Sequence, residues 1–305
     1  MKIRKLLFSI LLGVAVMESS SAKEKNYDQD LLLACKDGNR TKVETLLGYG
    51  ASPYATVSIN GKEYNALALA CKHESIELVK LLVFSGTPIN VGTEVGKVSP
   101  LAEAAKTGNI SIVDFLLDNG ANPNGRDEEE STALMNIIKM QDNGLFSKAL
   151  KYGNISVNLQ NQAGHTAVSY AVKTGDPTML ESLVGENKQI SQAANLNIYI
   201  SSEGCSLFQY AMKCQNTDAM RLFIKEDANV LKRDRKGRTP LLWGIKNNCP
   251  TERLQTLLTM EPMCVLDIDD EGHGVDYYLK ISNRNDKDKN ELRTIIEKAK
   301  ERISD

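Results

Sequence analysis

Residues 99–124 read SPLAEAAKTGNISIVDFLLDNGANPN, and this stretch decides the fold. Two runs of apolar residues at helical spacing flank a Gly108-Asn109 turn, and the stretch ends in Gly-Ala-Asn-Pro-Asn. The spacing predicts two short helices with one buried face each. Ser99 followed by Pro100 is expected to start the first helix, because serine caps a helix and proline suits its first turn.

Weaker copies of this stretch recur at intervals of about three dozen residues, which is the signature of a stacked-repeat protein. An apolar run marks the first helix of each copy, and seven such runs lie at residues 31–35, 65–70, 99–105, 132–137, 164–171, 206–211 and 237–244. After Gly272 the pattern fades, yet Leu292, Ile295, Ile296, Ala299 and Ile303 keep helical spacing. That is expected of a terminal cap with one apolar stripe.

These motifs resemble the ankyrin repeat. The family's G-x-T-P-L start is closest at residues 237–241, and its G-A-x-P-N exit is closest at residues 120–124. The resemblance implies an all-α solenoid of stacked helix–turn–helix units with short β-hairpin loops. We expect a single array over residues 23–305, with about seven repeats at about 28–268 and a C-terminal capping repeat or helix at about 269–305.

The resemblance is incomplete at one position of the repeat. The histidine that braces the turn in this family is replaced in six copies, so we expect less rigid turns. The replacements are Ala68, Ala102, Met135, Ser169, Gln209 and Leu242.

One copy is longer than its neighbours. Ala171 and Ala211, which mark the fifth and sixth copies, are 40 residues apart, against 33 or 34 for the neighbouring copies. The extra residues lie within 185–204, where residues 198–200 have strand-like character. The insertion is either a lengthened hairpin that touches a partner or a tolerated surface loop.

The first 22 residues differ from the rest of the chain. Lys2, Arg4 and Lys5 form a basic end, residues 6–17 are almost wholly apolar, and small residues follow at 20–22. This pattern predicts a cleaved secretory signal peptide at residues 1–22, and the alternative is a short uncleaved anchor. The pattern is typical of bacterial export, so we expect a periplasmic or secreted protein with no membrane span after cleavage.

The chain is mildly acidic. Its net charge is −2, and without residues 1–22 it is −4, from 34 basic and 38 acidic residues. This balance gives no general attraction to nucleic acid, so we expect no nucleic-acid partner. We also expect a monomer.

The sequence contains no catalytic constellation. Each of the three histidines occupies a position that the repeat explains, and there is no Gly-x-Ser-x-Gly elbow, phosphate loop or paired-histidine zinc motif. Residues 267–272, DIDDEG, open like a calcium loop, but the twelfth position is Tyr278 rather than glutamate. We therefore expect no enzyme activity, no cofactor and no metal site.

Six cysteines leave the disulfide question partly open. Cys35 and Cys71 occupy equivalent first-helix positions, which lie about 8–10 Å apart in stacked helices, beyond the reach of a disulfide. We expect both to be small buried hydrophobic residues. The pairing stays open among the four C-terminal cysteines, Cys205, Cys214, Cys249 and Cys264.

The resemblance implies a non-enzymatic protein–protein interaction module, because in this family the hairpin tips and first helices form a concave binding face. The alternative is a secreted effector, or virulence-associated protein, that binds a host protein. Charged and aromatic tip residues are the candidate contacts, and the competing interpretation is that they are ordinary solvated loop residues. The candidates are Tyr64, Glu94, Glu128, Glu129, Gln162, His165, Tyr199, Arg235, Lys236 and Arg238.

Overall fold

The computed structural model describes residues 26–185 and 190–304 of the chain. The predicted signal peptide at residues 1–22 lies outside the described residues, as do residues 186–189 within the insertion. The described part holds sixteen α-helices, two short strand pairs and one 3₁₀ helix. The first fourteen helices form seven consecutive helix–turn–helix pairs, so the predicted helical repeat architecture with short hairpins is confirmed.

We number the elements in chain order and call the odd-numbered helices from α1 to α13 first helices, and the even-numbered ones from α2 to α14 second helices. The helices are α1 Asp28–Lys36, α2 Arg40–Gly48, α3 Ala66–Lys72, α4 Ile76–Phe84, α5 Pro100–Thr107, α6 Ile110–Asp118, α7 Ala133–Met140, α8 Asn143–Leu150, α9 Ala167–Thr174, α10 Pro177–Val184, α11 Leu207–Lys213, α12 Thr217–Lys225, α13 Pro240–Lys246, α14 Thr251–Met260, α15 Val275–Ile281 and α16 Asp286–Ser304. The strands are β1 Thr56–Ile59, β2 Lys62–Asn65, β3 Tyr199–Ile200 and β4 Cys205–Ser206, and the 3₁₀ helix is Pro262–Leu266.

The chain divides into two compact units. Unit 1 runs to Ala121 and also includes residues 125–128, and unit 2 comprises residues 122–124 and the chain from Glu129 onward. Unit 1 therefore holds α1 to α6 with β1 and β2, whereas unit 2 holds α7 to α16 with β3 and β4.

In unit 1 the first helices pack in chain order, α1 on α3 and α3 on α5, and each second helix packs on its own first helix. Leu67, Leu101 and Ile112 are fully buried between them. The antiparallel strands β1 and β2 meet at an Asn60-Gly61 turn where both residues have positive φ, as a two-residue hairpin of this kind requires.

Most described helices begin at a polar residue whose side chain accepts a hydrogen bond from a first-turn backbone N–H. Ser99 accepts the Ala102 N–H at 3.5 Å, so the predicted cap of α5 is confirmed. Thr239 occupies the equivalent position in the best match to the G-x-T-P-L motif and does not make this bond. The other caps are Asn39, Asn65, Ser75, Asn109, Thr132, Asp142, Thr166, Asp176, Ser206 and Asn216.

In unit 2 the first helices also pack in chain order from α7 to α13, and α15 packs on α13. The long helix α16 lies against α14 and the 3₁₀ helix. Its contact stripe is Leu292, Ile296 and Ala299, all buried, while most of its other residues are charged and exposed. The helical spacing of these residues in the sequence thus corresponds to one amphipathic helix.

Asparagine side chains link neighbouring loops of unit 2. Asn124, the last residue of the G-A-x-P-N exit, donates to the Asn154 carbonyl and accepts the Ser156 N–H, both at 2.9 Å. Asn158 makes the same two kinds of bond into the described end of the insertion, where it accepts the Asn195 N–H at 2.7 Å. The insertion is therefore held in the same ladder of loops as its neighbours.

The strand character predicted for residues 198–200 is confirmed at Tyr199 and Ile200, which pair with β4. Gly164 allows this hairpin to approach the preceding one. Its φ is +83°, and a Cβ added there would lie 2.6 Å from the Ser201 backbone nitrogen. Any side chain at residue 164 would therefore push the two hairpins apart.

The expectation of less rigid turns needs correction at two of the replaced histidine positions. The Ser169 Oγ accepts the Thr166 N–H at 3.0 Å, and the Gln209 Oε1 accepts the Ser206 N–H at 2.8 Å. Gln209 also donates from Nε2 to the Arg238 carbonyl in the next repeat at 2.9 Å. Serine and glutamine thus brace these turns because they offer the acceptor that the helix start needs.

Candidate functional site

Tyr64 is not the exposed tip residue that the sequence predicts, because its side chain is only 1% exposed. It lies in β2, which packs beside α3, and its hydroxyl donates to the Glu128 carboxylate. Lys72 makes an ion pair with the same carboxylate, and its Nζ lies 3.4 Å from the tyrosine hydroxyl. Tyr64 therefore stabilises unit 1 from within and offers no contact surface.

The two acidic candidates of unit 1 are paired within the unit. Hydrogen bonds from Lys72 and Tyr64 hold the pKa of the Glu128 carboxyl below its usual value. Glu94 is exposed and pairs with Lys97 at 2.8 Å between Oε2 and Nζ. Both carboxylates are thus balanced by a nearby lysine, so neither presents an isolated negative charge.

Glu129 and Gln162 lie at neighbouring loops of unit 2. Both are exposed, and the Gln162 N–H donates to the Glu129 carbonyl at 3.0 Å. The main chain therefore brings these two predicted residues together and leaves parts of both side chains at the surface.

His165 is enclosed, with 8% of its surface exposed. Its Nδ1 lies 3.0 Å from the Ser169 Oγ, and its ring centre lies 5.1 Å from that of Tyr170 and 5.3 Å from that of Tyr210. Burial lowers the pKa of His165, so the ring is neutral near pH 7. The prediction of His165 as a contact needs correction, because the ring packs between two tyrosines instead of projecting from the tip.

Tyr199 and Arg235 come together across two successive hairpins. The guanidinium carbon of Arg235 lies 5.7 Å from the centre of the half-buried Tyr199 ring, and its Nη2 donates to the Ser201 carbonyl at 2.8 Å. Lys236 follows at the tip and is exposed. These residues form a positively charged hairpin edge, and their role as partner contacts stays a prediction.

Arg238 is not a freely exposed tip charge. Its Nε donates to the Asp234 Oδ2 at 2.8 Å, and the two side chains are 14% and 1% exposed. The Asp234 Oδ1 accepts the backbone N–H groups of Lys236 and of Arg238 itself. This pair closes the hairpin, so the predicted contact role of Arg238 needs correction.

Sequence reasoning missed a row of lysines in the last turn of the seven first helices. All are exposed, and an alignment of the first helices on their buried residues would have revealed them. They are Lys36, Lys72, Lys106, Lys139, Lys173, Lys213 and Lys246.

In unit 2 an aromatic residue stands three positions before each of the last three lysines. Residues at i and i+3 lie on the same face of a helix. Tyr170 and Trp243 are half-buried, with part of each ring at the surface, whereas Tyr210 is buried. The pairs are Tyr170 with Lys173, Tyr210 with Lys213, and Trp243 with Lys246.

Contacts connect these side chains from one repeat to the next. The Lys139 Nζ lies 4.7 Å from the centre of the Tyr170 ring. The His165 ring contacts both Tyr170 and Tyr210 and so connects the two tyrosines. Beyond Tyr210 a cleft of about 470 Å³ opens, and Lys213 and Trp243 are among its lining residues. We call the surface of Lys139, Lys173, Lys213, Lys246, Tyr170 and Trp243 the basic face of unit 2.

Positive charge accumulates around the basic face. In the last three repeats, the hairpin and first-helix segments 160–175, 199–216 and 233–248 carry seven basic and two acidic residues. Of these two acids, Glu203 pairs with Lys213 and Asp234 pairs with Arg238. The segment 129–141, which contributes Lys139, carries one basic and two acidic residues. Within the part of the chain that the structure describes, Lys173 and Lys246 make no ion pair.

Unit 1 places a glutamate where unit 2 has aromatic residues. Glu103 stands three positions before Lys106 in α5, is 2% exposed, and has an Oε1 without a hydrogen-bond partner. Burial raises the pKa of Glu103 to about 7, against the opposing effect of Lys72 and Lys106. The same helix position thus carries a buried acid in α5 and aromatic rings in α9, α11 and α13.

One cluster of potential metal ligands occurs in the described residues, and it forms a hairpin. Asp269, Glu271 and His273 offer ligand atoms within 4.8 Å of one another. The Asp269 Oδ1 accepts the N–H groups of Glu271 and His273, and its Oδ2 accepts the Tyr278 hydroxyl at 2.6 Å. The carboxylate closes the turn, as Asp234 does one repeat earlier, so its geometry serves the hairpin.

All six cysteines carry free thiols. Burial raises the pKa of Cys35 and of Cys205 to about 12, so neither is a reactive thiolate at neutral pH. Among residues 26–185 and 190–304, no helix combines the length and the apolar character needed to cross a membrane.

Comparisons with known proteins agree with this architecture. A family model described as ankyrin repeats (3 copies) matches residues 31–127, 101–194 and 170–269. The chain is 28% identical over 159 residues to a putative ankyrin repeat-containing protein of Treponema pallidum (strain Nichols), and this match covers 52% of each chain. It is 26% identical over 241 residues to the putative ankyrin repeat protein FPV022 of Fowlpox virus (strain NVSL), covering 68% of this chain and 39% of the relative. The chain thus spans about half or less of these relatives.

Two solved structures share the fold. The ankyrin repeat domain of human ASB11 superposes with a TM-score of 0.55 and 21% identity, covering 75% of this chain and 96% of that one. The ankyrin repeat domain of Bcl-3 gives a TM-score of 0.54 and 18% identity, covering 88% of this chain and all of that one. Ankyrin repeats are protein–protein interaction modules. The family model covers most of the sequence, and the chain belongs to the ankyrin-repeat family.

Proposed function

We propose that this chain is a non-enzymatic module that binds a protein partner through the basic face of unit 2. The observation that carries the proposal is the row of exposed lysines flanked by the half-buried rings of Tyr170 and Trp243. Two of these lysines, Lys173 and Lys246, have no ion-pair partner in the described part of the chain. A partner can neutralise such exposed cations with its own acidic residues and can cover the neighbouring aromatic rings.

The hairpin tips of unit 2 would extend this face. Arg235 and Lys236 add positive charge at one hairpin edge, and the exposed side chains of Glu129 and Gln162 belong to earlier loops. Arg238 and His165 contribute indirectly, since they hold the hairpins and tyrosines in place. Mechanistically the module would recognise a partner without changing it chemically and without a cofactor.

The place of action is part of the proposal. The basic and apolar pattern of residues 1–22 supports export, so we place the mature chain in the periplasm or outside the cell as a monomeric single array. Fractionation of the producing cells tests this: release by osmotic shock supports a periplasmic module, and recovery from the medium or from host cells supports a secreted effector. Retention of the uncleaved chain in the cytosol would contradict export.

Site-specific photo-crosslinking tests the binding face. Benzoylphenylalanine in place of Lys173 or Gln162 should capture the same protein from extracts of the producing cells or of a host. The matched control is Glu181, an exposed residue of the second helix α10. Capture from residue 181 alone, or no capture from the first two positions, would contradict the proposal.

A further inference from the structure

The lysine row of unit 2 has a regular spacing that points to the form of its occupant. Lys139, Lys173, Lys213 and Lys246 project from the last turns of four first helices that pack on one another in order. Axes of packed helices lie about 8–10 Å apart. The row therefore places a lysine about every 9 Å over a length of about 27 Å, with Lys213 already paired to Glu203.

An extended peptide can match that spacing. A polyproline II segment rises about 3.1 Å per residue with three residues per turn, so every third side chain lies on one face about 9.3 Å from the next. Acidic residues at every third position would then meet successive lysines. Four such residues fit within a segment of about ten.

The rings of the basic face add a second feature. Tyr170 and Trp243 are partly exposed beside Lys173 and Lys246, and the cleft of about 470 Å³ next to Trp243 can take small side chains between the acidic positions. Proline and other small residues pack well on aromatic rings of this kind, as in known recognition of polyproline II segments.

We infer that the basic face of unit 2 binds an extended acidic segment of a protein partner, with carboxylates at every third residue. This inference rests on the proposed function and specifies the chemistry of the partner. Single-stranded nucleic acid is the rival occupant, but its attraction scales with the number of cations released, and the chain carries a net charge of −2 with four acidic residues in the segments beside the row. The peptide is therefore the better match.

The chain has a built-in reporter for the test. Its one tryptophan is Trp243, which lies in the basic face three residues before Lys246. A peptide that contains no tryptophan can therefore be titrated into the full chain while the emission of Trp243 is followed. The probe is ESPESPESPE, and its controls are the isomer EEEESPSPSP and the neutral QSPQSPQSPQ.

We expect ESPESPESPE to shift the Trp243 emission saturably, to bind about fivefold or more tightly than EEEESPSPSP, and to weaken as salt rises. The neutral peptide should bind at least about tenfold more weakly than the probe. Equal binding of the neutral peptide, equal binding of the isomer, or no emission change with the probe would overturn the inference.

Charge-reversal variants locate the site. K173E/K246E should weaken probe binding about tenfold or more, because two attractive contacts become repulsive. The matched control K151E/K225E changes the net charge equally at exposed residues outside the first helices and should change binding less than about twofold. If circular dichroism shows that the reversal disturbs folding, K173Q/K246Q gives the same comparison with neutral side chains. Equal losses in the face variant and its control would overturn the inference.

Two further outcomes separate this inference from the proposed function. If labelled oligo-dT binds more tightly than the probe and K173E/K246E abolishes that binding, the occupant is nucleic acid and the inference is wrong. If crosslinking from residue 173 maps to a partner segment without acidic residues, the protein-binding function stands and the acidic specificity fails. If residue 173 captures no protein, the proposed function itself fails.

Discussion

The two units use the same helix pairs but distribute charge over them differently. In unit 1 the hairpin and first-helix segments 54–75 and 90–109 carry four basic and four acidic residues. Lysines there form ion pairs with carboxylates: Lys72 pairs with Glu128, and Lys97 pairs with Glu94. The corresponding segments of the last three repeats, in unit 2, carry seven basic and two acidic residues, whereas segment 129–141 carries one basic and two acidic residues. The comparison teaches that the repeat scaffold constrains buried positions and leaves exposed ones to vary.

The same contrast extends to one half-buried position of the first helix. Three residues before the lysine, unit 1 has the exposed Leu33 and the buried Leu69 and Glu103. Unit 2 has the buried Asn136 and Tyr210 and the partly exposed Tyr170 and Trp243. Among these residues, Glu103 is charged and buried.

The largest expected effect on stability comes from breaking an internal ion pair of unit 2. Asp234→Ala should lower the free energy of unfolding by about 3–5 kcal/mol, since it leaves Arg238 enclosed without its partner. The control is Glu94→Ala in unit 1, whose exposed pair with Lys97 contributes little to stability, so this variant should lose far less stability than Asp234→Ala. Urea denaturation measures both. Similar losses in the two variants would show that burial does not separate these pairs.

The next effect tests the buried acid of unit 1. Burial raises the pKa of folded Glu103 from its ordinary value of 4.5 to about 7, so between these values the folded state binds more protons than the unfolded state. Stability should therefore fall as pH rises through this window, by up to about 3 kcal/mol. Glu103→Gln removes the titration, so wild type and variant should differ most above pH 7 and least near pH 4. Urea unfolding across pH checks this, and a difference independent of pH would contradict it.

A smaller effect tests the brace that replaces the family's histidine. Gln209→Ala removes both the acceptor for the Ser206 N–H and the donor to the Arg238 carbonyl. The loss should be about 1–2 kcal/mol, typical of a helix cap with one further hydrogen bond. Gln162→Ala, at an exposed loop position, should cost less than about 0.5 kcal/mol. Thermal unfolding compares the two, and an equal shift in Tm would argue against a bracing role.

The smallest expected effect on stability concerns the lysines of the basic face. Lys173→Ala and Lys246→Ala should each change the free energy of unfolding by less than about 0.5 kcal/mol, because both side chains are exposed and make no ion pair in the described residues. Each should nevertheless weaken binding of the peptide ESPESPESPE about two- to fivefold, by the loss of one charge contact. Lys225→Ala, in a second helix, should alter neither quantity. A stability loss above about 1 kcal/mol in the face variants would mark these lysines as structural.

The sequence predicts which residues lie near the hairpins, but it does not show which of them are exposed and which are enclosed. Arg235, Lys236 and Tyr199 lie together at a hairpin edge, as their tip positions suggest. Tyr64, His165 and Arg238 share the same kind of position, and yet they are enclosed. The lysine row was visible in the sequence as a repeated position, but its meaning depends on which carboxylates lie nearby.

The sequence by itself determined the fold of this protein, because the spacing of apolar residues and the polar residues before each helix are local signals. Ser99 and Pro100 start α5 through bonds within one helical turn, and such signals need no distant partner. The tertiary structure alone decided which charges are balanced internally and which are available. Lys72 finds Glu128 across 56 residues of chain, whereas Lys173, at the same helix position, finds no partner in the described residues. The physical reason is that an ion pair depends on distance in space, which the packing of repeats sets.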